Sequence, residues 1–252
     1  MQEMNREVNS VGAAGVAMTQ NITASSVSVG QLLNRQSALP GIGVLYGPAG
    51  YGKSTACAYL ANQQHGYYVQ MRSAWNRKTL LEKILIEMSI RQSGTISAML
   101  DQVCEQLAAS RRPLIIDEFD FCLRSAGMIE LIRDIYEGSQ GALLLVGEEN
   151  IPIKLRKWER FHSRILVWLQ ALPASIDDAH KLAPIYARNI NIADDLLQMF
   201  VDSAQGSARR LVVNLAHAQE RARVLNKKTL ALADWEARDT FTGEPPKPRR
   251  AA

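Results

Sequence analysis

At 252 residues the chain has room for one or two domains around a sizeable buried core. Its 47% apolar and 21% charged residues are those of an ordinary globular protein. No apolar run approaches the roughly 18 residues that span a bilayer, which excludes a membrane-spanning class. The short run Val11–Met18 follows the mixed charges Glu3, Arg6 and Glu7, a poor match to a secretory leader. Cys57, Cys104 and Cys122 are odd in number and widely spaced, without metal-ligand spacing. They read as packing residues in a reducing compartment, so a cytoplasmic location is expected, with no membrane partner. The net charge of +4 and a pI near 9.0 lean towards a polyanionic partner.

In chain order, residues 1–28 are rich in Ser, Asn, Gly and Ala without a period and read as a flexible arm. Short β-type segments then alternate with helical patterns. Gly41–Tyr46, Tyr67–Met71, Leu114–Asp117, Ala142–Val146 and Ile165–Trp168 read as strands. The third and fourth are nearly continuous apolar runs, as expected of parallel strands covered on both faces. Leu80, Leu81, Ile84, Leu85 and Met88 recur at helical spacing, as do Ile96, Met99, Leu100, Val103 and Leu107. Such alternation predicts an α/β fold with a doubly wound parallel sheet over 29–172. From Pro173 the pattern is purely helical, so 173–240 reads as a separate helical domain. Residues 241–252 read as a disordered basic tail carrying Lys247, Arg249 and Arg250.

Directly after the first strand comes Gly47-Pro48-Ala49-Gly50-Tyr51-Gly52-Lys53-Ser54-Thr55. It fits G-x-x-x-x-G-K-[ST] in the required context, a strand before and a helix after. Glycines let the loop curl so that backbone N–H groups face phosphate oxygens. Lys53 is expected to reach the β- and γ-phosphates of ATP, and Ser54 to ligate Mg²⁺. The third strand ends in Asp117-Glu118. A buried strand would deliver both carboxylates at its C-terminal end, where ligands bind in such sheets. Asp117 would hold Mg²⁺ and Glu118 would be the base that orients the attacking water.

The loop, the acid pair, the five strands and the helical C-terminal region together resemble an AAA+ ATPase of the P-loop class, over about residues 30–235. That resemblance implies a helical lid whose Gly206-Ser-Ala-Arg209 places Arg209 on the γ-phosphate. It implies a nucleotide sensor at the end of the fourth strand, where Gly147-Glu148-Glu149-Asn150 departs from the pattern, leaving Glu148 or Asn150 in that role. The segment Trp158–Ile165 resembles the arginine-finger region, with Arg164 first and Arg160 second as the finger acting on a neighbouring subunit's ATP. The active unit would then be an oligomer.

A small ATPase with the strand-end form LLLVGEEN and a basic pI looks most like the transposition ATPases: Mu B-like proteins, Tn7-type target-selection ATPases and insertion-sequence helper ATPases. The resemblance implies ATP-dependent rings or helical filaments on duplex DNA, delivery of target DNA to a transposase, and a location in a bacterial host cytoplasm if phage-encoded. A replication-type helicase loader or initiator is the alternative within the fold, and an ATP-switched protein adaptor the alternative outside DNA binding. Arg72-Ser-Ala-Trp75-Asn-Arg77-Lys78 reads as a basic loop with an aromatic and no acid. Lys154, Arg156 and Lys157 offer a second basic group. Both would contact phosphates without reading sequence.

Overall fold

The computed structural model describes residues 15–244. The N-terminal part of the expected arm, 1–14, and the tail from 245 onward, with Lys247, Arg249 and Arg250, lie outside the described residues. Two compact units divide the chain, one of residues 21–49 and 53–171, the other of 50–52, 172–244 and the stretch up to Gln20.

The first unit is a five-stranded parallel sheet in the order β2-β3-β4-β1-β5, with β1 Ile42–Tyr46, β2 Tyr67–Gln70, β3 Leu114–Asp117, β4 Leu143–Gly147 and β5 Ile165–Gln170. The strand positions follow the apolar runs read from the sequence. Parallel strands need covered crossovers; helix α1 (Gln20–Leu33) precedes β1, and the chain supplies the crossovers from β1 to β4 as helices α2 (Lys53–Gln63), α3 (Arg77–Glu87), α4 (Ile96–Ser110) and α5 (Ala126–Ser139). Alternation along the strands separates two faces. Ile42, Val44, Leu114, Ile116, Leu143 and Leu145 share one cluster with the buried sides of α3, α4 and α5. Leu45, Ile115, Leu144 and Val146 are equally buried on the other face. There Leu32 of α1 packs so closely on Gly43 that a Cβ would sit 2.8 Å from its Cδ1. Each such Leu or Ile contributes about 1.5–3 kcal/mol on burial, so the two-faced cover holds β1, β3 and β4 rigidly.

Helix α1 corrects the expected arm, which was read as flexible through residue 28. Its buried face is Asn21, Ile22, Ser25, Ser28, Val29 and Leu32. Small serines occupy two of those positions and hide the helical period from a hydrophobicity reading. The Ser26 hydroxyl donates back to the Ile22 carbonyl at 3.0 Å, as serines inside helices do.

The second unit carries helices α8 (Ile176–Tyr186), α9 (Asp194–Ala204) and α10 (Ala208–Leu225); the short helices α6 (Ile151–Leu155) and α7 (Glu159–His162) belong to the sheet unit. A reciprocal capping box between Ser175 and Asp178 starts α8. The unit is not purely helical, as its composition suggested. Asn191–Ile192 and Thr229–Leu230 form a two-residue parallel pair, β6 with β7, too short for any periodicity to register. The expected tail also starts as structure, because buried Asn214 both accepts from the Phe241 N–H at 2.7 Å and donates to its carbonyl at 3.1 Å. No helix among the described residues is long and apolar enough to cross a membrane.

The three cysteines are free, and burial dominates each. It pushes Cys122 up to about 12, Cys104 up to about 11, and Cys57 well above its ordinary range. The thiolate is the reactive form. Iodoacetamide at pH 8 should therefore alkylate the folded protein at least about a hundredfold more slowly than the unfolded chain, whose thiols titrate near 8.5. The folded rate should climb with pH. Labelling followed by mass spectrometry checks this, and a fast-reacting thiol at neutral pH would contradict the packing role.

Candidate functional site

Because every strand is parallel, the C-terminal ends of β1, β3 and β4 lie along one edge of the sheet. The register matches Tyr46 with Gly147 and Gln70 with Asp117. The Gly47 N–H then donates to the Gly147 carbonyl at 3.3 Å, so the loop leaves β1 tied to the end of β4. Gly50 and Gly52 take φ of +84° and +85°, a left-handed turn that a side chain would strain. The loop feeds directly into α2, so Lys53 opens a helix whose positive end faces the turn. Ser54 and Thr55 follow on its exposed first turn. The Lys53 ammonium donates to the Gly47 and Pro48 carbonyls at 2.6 and 2.8 Å. Burial holds Lys53 below its usual range, against the opposing pull of Asp117, Glu118, Asp120 and Glu148.

The structure thus gathers Lys53, Asp117 and Glu118, as the sequence reading expected, and adds Asp120, which carries no motif, and Glu148, expected only as a sensor candidate. Asp117 is buried. Its Oδ1 accepts the Glu118 N–H at 2.8 Å, and its Oδ2 accepts the Tyr68 hydroxyl at 3.0 Å. Tyr68 lies on β2, beside β3; burial, then the charge and hydrogen bond of Asp117, push its phenol far up. Glu118 sits at φ +53°, a left-handed backbone that costs a non-glycine residue on the order of 1–2 kcal/mol. This bend ends β3 and turns the chain into the 3₁₀ segment Phe119–Arg124. Burial, followed by the negative charge of Asp117, raises the Glu118 carboxyl, with Lys53 opposing and Asp120 and Glu148 adding. A cleft of about 430 Å³ opens here, lined by Glu118, Asp120, Phe121, Arg124, Glu148 and Lys154 among others. Tyr68 and Asp120 carry no motif; strand order alone makes them neighbours of Asp117 and Glu148.

Among the described residues no ready-made group of three metal ligands exists. Mg²⁺ does not need one, since it keeps several waters and takes few protein oxygens. Asp117, Glu118, Asp120 and Glu148 outnumber the ammonium groups of Lys53 and Lys154, an acid-rich donor set suited to a hard cation, and the residues that would hold it are Ser54 and Asp117.

Other expected site residues divide. Arg164 lies at the opposite end of the sheet, where its carbonyl accepts the Ile42 N–H at 3.2 Å. The length of β1, on the order of 15 Å at about 3.3 Å per residue, separates it from this chain's own Lys53, and its guanidinium pairs with Glu137 at 2.8 Å. Arg160 is exposed on α7. In the second unit, Arg209 follows the Ser207 N-cap of α10, and its N–H donates to the carbonyl of Gly50, which clusters with that unit, at 3.1 Å. Glu148 has an exposed carboxylate, and Asn150 caps α6 without a side-chain bond.

The expected basic loop covers residues 72–76 and gives way to a helix at Arg77. Trp75 packs against the core, Asn76 caps α3 by accepting the Thr79 N–H at 3.0 Å, and Arg77 and Lys78 are the first turn of that helix. Lys78 lies 3.8 Å from Glu82, one turn on, while Arg72 is exposed. Lys154 is not a free cation either, because it pairs with Asp120 at 2.9 Å and approaches Glu148 at 3.8 Å. Arg156 is exposed, and Lys157 lies over the Trp158 ring at 5.1 Å.

Residues 36–155 match the family model described as the AAA domain. No curated protein matches the chain in sequence. Among solved structures, the chain is similar to the ORC2 protein of Aeropyrum pernix in its ADPNP–ADP complexes, at 20% identity and TM-score 0.65, over 84% of this chain and 65% of that one. It is similar to Cdc6p of Pyrobaculum aerophilum, at 18% identity and TM-score 0.59, over 85% and 64%. It is also similar to the ORC1 protein of Aeropyrum pernix in complex with DNA, at 19% identity and TM-score 0.60, over 86% and 64%. The chain therefore spans about two-thirds or slightly less of those proteins' length. The likeness is one of fold: an α/β P-loop AAA+ domain on a five-stranded parallel sheet.

The raised Glu118 carboxyl has a stability consequence. A folded value above the unfolded one favours the neutral form, so the contribution is present at low pH and is lost as pH rises through the folded value. Neutral Gln in its place should raise the Tm at pH 7 by about 1–3 °C and leave it unchanged below the ordinary carboxylate range. Calorimetry across pH checks this; a lower Tm for Glu118→Gln at pH 7 would contradict it.

Proposed function

We propose that this chain binds ATP with Mg²⁺, hydrolyses it, and uses the cycle to control self-association on duplex DNA. The observation that carries the reading is Lys53 meeting Asp117 and Glu118 at the carboxyl edge of the sheet, the arrangement an NTP phosphate tail requires. Loop residues Gly47 to Thr55 cradle the phosphates with backbone N–H groups, and Lys53 offsets their charge. Ser54 and Asp117 would hold the Mg²⁺ ion, which when bound would neutralise charge developing on the phosphates. Tyr68 keeps the Asp117 carboxylate oriented. Glu118 accepts a proton from the attacking water as the new bond to the γ-phosphorus forms and the bond to the leaving oxygen breaks. Arg209 takes the nucleotide-sensing role its Gly206-x-x-Arg209 setting implies.

Arg164, or else Arg160, acts on the ATP of a neighbouring copy. Its place at the far end of the sheet from Lys53 supports action between subunits rather than within one. Of the six candidate cations, Arg72, Arg77, Arg156 and Lys157 have no acid partner among the described residues and would meet DNA phosphates; Lys78 and Lys154 are engaged with acids. What the switch serves has two readings. The strand-end Gly147-Glu148 form and the basic charge support delivery of target DNA to a transposase. Similarity of fold to ORC and Cdc6 proteins, one of them solved with DNA, supports a replication initiator or loader equally well.

Lys53→Ala should weaken nucleotide binding by at least about tenfold, the loss of one charge-assisted contact. Glu118→Gln should keep affinity within about twofold while turnover falls about 10²–10⁴-fold. Titration with fluorescent ADP and phosphate release measure the two separately, and wild-type turnover in Glu118→Gln would remove the base assignment.

A single copy offers few phosphate contacts, so its DNA affinity should be on the order of 10⁻⁴–10⁻⁶ M at physiological salt. ATP-bound copies joined side by side act at high effective concentration and should bind at least about 10²-fold more tightly. Fluorescence anisotropy against salt with ATP, ADP and no nucleotide checks this; equal affinity in all three states would overturn the switch.

A further inference from the structure

We infer that Asp120 is a positioning residue for hydrolysis, tying the strand end that carries Glu118 to the strand end that carries Glu148; this rests on the hydrolytic reading above. Asp120 lies two residues beyond Glu118, inside the 3₁₀ segment that begins at the left-handed bend. Its side chain is 11% exposed, so its charge needs partners. It has two, both just beyond the C-terminal end of β4. Oδ2 accepts the Glu148 backbone N–H at 2.6 Å, and Oδ1 accepts from the Lys154 ammonium at 2.9 Å. The hydrogen bond to Asp120 is the main reason that Lys154 sits above its usual range. The same ammonium lies 3.8 Å from the Glu148 carboxylate, so one cation binds both acids.

The absence of a side chain at residue 147 is part of the device. A Cβ there would collide with Asp120 Oδ2 and come within 2.5 Å of Ile151 Cδ1. Gly147 is also the residue whose carbonyl accepts the Gly47 N–H. Asp120 is thereby linked through one residue of β4 to the first residue of the phosphate loop. The backbone strain at Glu118 persists only if its surroundings over-determine it, and a charge-assisted clamp on the adjoining turn supplies that restraint. A base displaced by about 1 Å can lose roughly 10²-fold in rate, with no change in how tightly the phosphates are held.

The test separates kcat from affinity in the full chain, with ATP as substrate and fluorescent ADP as the binding probe. Asp120→Ala should lower kcat by about 10–100-fold while ADP affinity stays within about threefold. Asp120→Asn keeps an oxygen acceptor for the Glu148 N–H and should recover kcat to within about threefold of wild type, a rescue that lost packing would not give. Lys154→Met, whose ammonium is largely solvated, should fold even if Asp120→Ala does not. It should lower kcat by roughly three- to tenfold, because the Asp120 and Glu148 carboxylates are left to repel. Wild-type kcat in both Asp120→Ala and Lys154→Met would overturn the assignment, as would kcat and affinity falling together in Asp120→Ala. Turnover that is absent in the wild-type chain, or unaffected by Glu118→Gln, would overturn the hydrolytic reading itself and this inference with it.

Discussion

One ammonium facing four carboxylates along the carboxyl edge of a parallel sheet is the arrangement on which the rest of this structure depends. Lys53 is half-buried and feels Asp117, Glu118, Asp120 and Glu148 together. With Lys154 holding Asp120 and approaching Glu148, these four carboxylates still outnumber the two ammonium groups, an excess of negative charge that is unfavourable as it stands. In the proposed function a divalent cation and an anionic phosphate chain arriving together would relieve it, because the pair brings both the missing positive charge and a partner for the Lys53 ammonium. The sheet can hold this unfavourable site because its two covered faces bury β1, β3 and β4 almost completely.

Strain and repulsion are concentrated at Glu118. Its backbone is left-handed and its carboxyl is raised by burial and by Asp117. A residue tuned only for stability would have neither property. Stability surrendered for a poised group is a common pattern at reacting positions, the role proposed for Glu118, and the restraints around it are local. Tyr68 and the Glu118 N–H hold the two oxygens of Asp117, while Lys154 and the Glu148 N–H hold those of Asp120.

Positive charge that looks continuous in sequence is divided by the fold into two populations. Lys154 is consumed by Asp120, Arg164 by Glu137, and Lys78 faces Glu82. Lys157 and Arg124 lie over the rings of Trp158 and Phe121 instead, positions compatible with a second, external anion. A count of Lys and Arg therefore overstates what is available to a nucleic acid, and the usable set is the one without acid partners.

The amino-acid sequence by itself determined the strand positions, the phosphate loop and the Asp117–Glu118 pair. Their signals are local: an apolar run of four or five residues, glycines at fixed offsets before a lysine, and two acids ending a buried strand. Helix α1 was missed because Ser25 and Ser28 occupy buried positions, where small size matters more than hydrophobicity. The β6–β7 pair was missed because two residues carry no period. The basic loop is shorter than its charge pattern suggests, because Asn76 caps a helix that begins at Arg77. Tertiary structure alone decided that Tyr68 meets Asp117 and that Asp120 meets Glu148 and Lys154. Those contacts depend on β2, β3 and β4 lying side by side, and strand order is set by crossover connections and burial over the whole sheet, not by any residue's neighbours in the chain.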